Sequence, residues 1–179
     1  KVLTPVDKNG TPIKCEGSVC EGGFDWSWTQ HTAWRIDEKS EPGIVYLTVF
    51  DNGDARGMEQ PAMPEMKYTR GVVNKVDEKK MTVEQVWEVG KDPGFEYYSP
   101  VTGLCQYQPD KGSVVVYYST AGMGDIARSA GRKQGRIHPV ITEYRWGETK
   151  PAVKIKLWDT MGYQAFPIHI EKAFSVERK

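Results

Sequence analysis

Two hairpin-like stretches of this chain repeat one another. "GVVNKVD" (71–77), the polar connection "EKKM" and "TVEQVWEV" (82–89) match "VITEYRW" (140–146), "GETKP" and "AVKIKLWD" (152–159), with Val73 and Val140 at equivalent places about 67 residues apart. The stretches before them agree: "HTAWRIDEKSEPGIVYLTVFD" (31–51) and "PVTGLCQYQPDKGSVVVYYST" (100–120) both read strand, polar turn, strand, and their second strands start at Ile44 and Ser113, about 69 residues apart. The apolar runs are short, rich in Val, Ile, Tyr and Trp, and bounded by Gly, Pro, Asp or Asn, whereas helical periodicity is nearly absent. The chain is therefore expected to be all-β, with a ninth strand in "AFPIHIEKAF" (165–174).

Four strands per repeat is the blade unit of a β-propeller, which needs typically 4 to 8 blades to close its ring. The 179 residues hold about two and a half such units. The expectation is a propeller segment belonging to a longer or cleaved protein. A complete β-sandwich of nine strands is the architectural alternative.

Charge narrows the function. Lys plus Arg and Asp plus Glu each number 24, so no net field draws the chain to nucleic acid or to an anionic membrane. No run approaches the roughly 20 apolar residues of a membrane span, and "KVLTPVDKNG" lacks the apolar core of a signal peptide. Neither nucleic acid nor membrane is an expected partner. Cys15 and Cys20 flank a Gly-containing loop and read either as a disulfide that fixes this loop or as two reduced cysteines of a cytosolic protein. Cys105 reads as a small packed apolar residue, and the scattered His31, His138 and His169 supply no second ligand pair for zinc.

Candidate chemistry gathers at His31, the start of a first strand in its repeat. One repeat onward lie Tyr98, Ser99 and Thr102, and a further step reaches Tyr163, so a propeller would point these residues toward one axis. A lone histidine is commonly structural, but Trp26, Trp28 and Trp34 suggest apolar walls that favour a neutral, nucleophilic ring. The structural alternative packs these tryptophans between blades. Two long connections, 51–70 and 121–139, read as functional covers or solvated loops; the second carries Arg128, Arg132, Lys133 and Arg136, the first is rich in Met. There is no Gly-x-Ser-x-Gly elbow and no phosphate loop followed by Lys.

"TQHTAWRID", "YLTVFDNGDARGMEQPAMPEMKYTRGVV", "YYSPVTGL" and "GYQAFPIHIEKAF" resemble the C-terminal part of the bacterial aryl-sulfate sulfotransferases. The resemblance implies a periplasmic homodimer whose subunits carry a six-bladed propeller and a small N-terminal β domain. On this reading residues 1–179 are the C-terminal segment of the propeller, and the N-terminal blades and β domain lie elsewhere. It implies transfer of a sulfuryl group from a phenolic sulfate ester to another phenol, with no nucleotide donor and no cofactor. His31 takes the nucleophile's place, sulfated in a ping-pong cycle. Thr102 and Tyr163 fall at substrate-binding positions, and the Cys15–Cys20 pair becomes a disulfide made with the help of a thiol oxidase. The family's further histidines and its arginine lie upstream of this stretch. Losing even one such donor typically costs ~10²- to 10³-fold in rate, so these residues alone are expected to be inactive. Two other classes remain: a propeller that only binds a protein or glycan, and a quinone-dependent propeller dehydrogenase, for which no acidic cluster suited to calcium is evident.

Overall fold

In the computed structural model, residues 2–17, 19–54, 56, 68–123 and 137–168 are described. They form strands β1 (Thr4–Val6), β2 (Cys15–Glu16), β3 (Val19–Cys20), β4 (His31–Arg35), β5 (Ile44–Asp51), β6 (Arg70–Asp77), β7 (Thr82–Val89), β8 (Leu104–Gln108), β9 (Ser113–Tyr118), β10 (Val140–Arg145) and β11 (Val153–Lys156). Strands β4 to β7 and strands β8 to β11 make two antiparallel meanders in sequential order, the unit from which propeller blades are built. The short β1 adds to the first sheet, pairing parallel with β7. Among the described residues the architecture is all-β in separate sheets, with no closed barrel.

Local sequence explains the meanders. The β6–β7 turn is held by Asp77, whose carboxylate accepts from the Lys79 and Lys80 amides at 3.0 and 2.9 Å. Strand β9 is buried on both faces, which is why "SVVVYY" runs apolar without alternation. Val114, Val116 and Tyr118 pack into one core with Phe50, Val73 and Trp87 of the first sheet. Val115 and Tyr117 pack into a second cluster with Leu104, against which Trp34 rests. Each such fully buried apolar side chain contributes roughly 1.5–3 kcal/mol. Trp87 Nε1 also donates to the Glu148 carbonyl at 2.9 Å, tying β7 to the hairpin of the second sheet.

Two glycines permit close contact between the sheets. A side chain at Gly71 would meet Val116 at 2.6 Å. Gly103 lies at φ +126°, and a Cβ there would collide with the Phe50 ring.

The described fold trims some of the expected elements. The first strand ends at Arg35, because Asp37–Lys39 turns as a short 3-10 helix. The strand expected from Val101 starts at Leu104, after Thr102 and Gly103 at positive φ. Residues 165–168 form no strand; the remainder of the expected ninth strand, with His169, lies outside the described residues. So do Arg128, Arg132, Lys133, Arg136 and the Met-rich part of the first long connection. Among the described residues no helix is long and apolar enough to cross a membrane.

Candidate functional site

Antiparallel pairing brings several strand ends to one place. Residue 31 pairs with 50, 51 with 70, 104 with 117, and 118 with 140, so β4, β6, β8 and β10 all start where β5 and β9 end. Both long connections leave the sheets at this end.

His31 is the first residue of β4 and is half-buried. Directly after it the register slips, leaving Thr32 as a bulge between His31 and Ala33. Bulges of this kind re-aim a neighbouring side chain. Thr32 sits at φ +47°, and Thr29 and Thr102 at φ +50° and +57°. For β-branched residues such backbone costs on the order of 1–3 kcal/mol each and collects at functional sites.

The imidazole is held through one nitrogen. His31 Nδ1 lies 2.7 Å from Asn52 Oδ1. Asn52 is fully buried at the end of β5, and its Nδ2 donates to the carbonyls of Ser99 at 2.7 Å and Thr102 at 2.8 Å. Thr69 donates its hydroxyl to the Asn52 carbonyl at 2.8 Å and accepts from the Ser99 amide at 2.8 Å. Thr102 Oγ1 in turn meets Ser119 Oγ at 2.6 Å. Thus residues 31, 52, 69, 99, 102 and 119 form one polar cluster linking the two sheets.

A buried ionic network underpins the cluster. Asp51, immediately before Asn52, is wholly buried and accepts from the Trp28 amide at 2.7 Å, from Arg56 at 2.9 Å and from Arg70 Nε at 2.8 Å. Arg70, also wholly buried, donates to Glu88 at 2.6 Å and to the Asp25 and Trp26 carbonyls at 3.0 and 3.2 Å. Burial alone pulls the Arg70 guanidinium down, but Asp51, Asp25 and Glu88 outweigh it and hold it above its ordinary value. Asp25 also takes Arg56 at 2.8 Å and the Tyr68 hydroxyl at 2.6 Å, and Lys91 meets Glu88 at 2.8 Å. The three carboxylates are therefore matched by Arg56, Arg70 and Lys91, the balance that makes burial tolerable. Burial, then the bond to Asp25, pushes the Tyr68 phenol up.

The cysteine pair acts through this network. Cys15 and Cys20 are disulfide-bonded across the β2–β3 pair, and Val19 of the same hairpin bridges to Asp25. The disulfide thus braces the carboxylate that holds Arg56 and Tyr68. Cys105 is free and buried, its thiol pushed up to about 12 by desolvation.

Of Trp26, Trp28 and Trp34, the first and last have aromatic ring partners. Trp26 lies edge-on to Phe24 at 4.9 Å, and Trp34 stacks on Phe166 at 5.7 Å. Trp28 contributes its backbone amide to Asp51. Thr102 and Ser99 join the His31 cluster through Asn52, whereas Tyr163 is 68% exposed, beside a Gly162 that packs on the Tyr117 hydroxyl. His138 lies apart, against the Glu96 carbonyl and the Trp158 ring. A cavity of about 670 Å³ opens near the disulfide hairpin, lined by Ile13, Phe24, Trp87 and Glu88 and without His31. Asn52, Asp51 and Arg70 are not among the residues expected from the sequence; Asp51 and Asn52 open the Asp-Asn-Gly-Asp turn, whereas Arg70 carries no local signal.

Fold and site define an all-β protein with a histidine anchored through Nδ1 and, among the described residues, with no partner at Nε2. The family model described as arylsulfotransferase (ASST) matches residues 1–164, and the chain belongs to that family. It is 43% identical over 157 residues to the arylsulfate sulfotransferase AssT of Escherichia coli O6:H1, covering 87% of this chain and 24% of that protein. With the arylsulfate sulfotransferase AssT of Lelliottia amnigena it is 37% identical over 179 residues, 97% of this chain and 28% of that one. The chain spans about a quarter of the length of these curated relatives.

Proposed function

We propose that the protein to which this chain belongs transfers a sulfuryl group from a phenolic sulfate ester to a second phenol through a sulfated His31. The observation that carries this reading is that, among the described residues, His31 is held by Nδ1 alone, at the strand ends where both long connections emerge. Nε2 is then the atom that meets sulfur. Its lone pair attacks in line, the S–O bond to the aryl group breaks, and phenolate departs; the acceptor phenol takes the sulfuryl group in the second half of the cycle. No nucleotide donor takes part.

The two meanders are two blades of a six-bladed propeller in this proposal, completed by the N-terminal blades and a small β domain. Those blades supply the donors that face the sulfuryl oxygens, so the 179 residues by themselves do not turn over. Thr102 belongs to the pocket wall, and Tyr163 offers an aromatic ring to the substrate from the outer side. The working protein is a periplasmic homodimer, its Cys15–Cys20 bond installed by a thiol oxidase; the disulfide between these residues fits an oxidising compartment.

Initial rates of the full-length protein test the route. With aryl sulfate and phenol varied together, double-reciprocal plots are expected to be parallel, and without acceptor one equivalent of phenol per site should be released in a burst. Intersecting lines with no burst would mean direct transfer and no covalent step.

A further inference from the structure

We infer that Asn52 is a positioning residue that keeps the His31 proton on Nδ1 and, as an uncharged amide, leaves the sulfated ring cationic and labile. This rests on the proposed role of His31 as nucleophile.

The tautomer follows from what each atom can do. Ser99 and Thr102 present carbonyl oxygens to Asn52 Nδ2 at 2.7 and 2.8 Å, and carbonyls only accept. Both Nδ2 hydrogens are consumed. Turning the amide over would set Oδ1 against two oxygens, so Oδ1 faces His31 Nδ1, at 2.7 Å. An amide oxygen only accepts as well, so Nδ1 must donate. A neutral imidazole has one N–H, which leaves Nε2 with a bare lone pair. Asn52 has no exposed surface, and Thr69 pins its own carbonyl, so neither water nor backbone motion offers an alternative partner.

The same bond bears on the second half of the cycle. When the Nε2 lone pair forms the N–S bond and the aryl S–O pair leaves on phenolate oxygen, the ring gains one positive charge, shared with Nδ1–H. A carboxylate at position 52 would neutralise that charge or take the proton, and a neutral N-sulfoimidazole is a poor sulfuryl donor. The amide does neither. The acceptor phenol's oxygen then attacks sulfur, the N–S pair returns to Nε2, and the phenolic proton passes to solvent. His31 comes back in its starting tautomer, with no proton to relocate between turnovers.

The test uses the full-length protein. Nitrogen-15 NMR of labelled histidine is expected to show His31 protonated on Nδ1 and bare on Nε2; a proton on Nε2 overturns the inference, with no variant needed. With a chromogenic aryl sulfate, Asn52→Ala should slow the phenol burst about 10²-fold or more, because the wrong tautomer is then populated. Asn52→Asp should instead slow discharge to added phenol by at least tenfold relative to loading, so that sulfated enzyme accumulates. Equal slowing of both half-reactions in both variants would mark a merely structural residue and overturn the inference. A wild-type protein with the expected tautomer but no burst would bear out the hold of Asn52 on the ring while removing the nucleophilic role of His31.

Discussion

His31→Ala in the full-length protein is expected to lower sulfuryl transfer by on the order of 10⁴-fold or more, the scale on which removal of a nucleophile acts. The loss should fall on kcat, since in the proposed cycle the other blades supply the donors that bind the sulfuryl oxygens. Folding should survive. His31 is only half-buried and its one side-chain bond among the described residues is to Asn52, whose Oδ1 can then be met by water entering the space of the ring. The cost is that of one hydrogen bond, about 1 kcal/mol. Steady-state rates alongside thermal unfolding separate the two effects. Residual activity above a tenth of wild type would show that the nucleophile is another group.

Arg70→Met is expected to have the opposite profile, a large loss of stability. Arg70 has no exposed surface and joins Asp51, Asp25, Glu88 and two backbone carbonyls. Methionine fills much of the volume but leaves Asp51, itself fully buried, with Arg56 as its remaining cation. Breaking a buried pair from one side typically costs 3–5 kcal/mol, because a charge is left behind without compensation. Arg70→Lys should not rescue it, for a single ammonium cannot replace a planar fork aimed at three carboxylates. Denaturant unfolding of the full-length protein reads the change, and a loss below about 1 kcal/mol would show that the network is dispensable.

These contrasting outcomes bear on what a single sequence reveals. The eight strands of the two meanders were legible because Val, Ile, Tyr and Trp alternate or run together between polar turns, and the repeat set their order. The same repeat placed Ser99 and Thr102 near His31, and the structure joins all three through Asn52. Other features left no such trace. Strand β1 is three residues with a proline, and only its pairing with β7 makes it a strand. The disulfide was one of two readings of a Cys pair; its connection to Asp25 depends on a bridge from Val19, a contact no local pattern encodes. Asn52 reads as an ordinary turn residue, and its role emerges only when β5 ends beside the loop that leads into β8. Asp51 and Arg70 are charged residues at strand ends, which composition assigns to solvent. They are buried because they face each other across the β5–β6 register. Aromatic density near a histidine likewise says nothing of ring partners: that Trp26 meets Phe24 and Trp34 meets Phe166 depends on the folded chain.

In the proposed cycle Nε2 of His31 carries the sulfuryl group between donor and acceptor. The most direct test of this step is mass spectrometry of the full-length protein mixed with an aryl sulfate, quenched without acceptor and digested under non-acidic conditions. One added sulfuryl group on the peptide containing His31, lost when phenol is supplied, is the result expected here. Release of phenol with that peptide unmodified would place the nucleophile elsewhere, and no release at all would make the protein a propeller that binds rather than one that transfers.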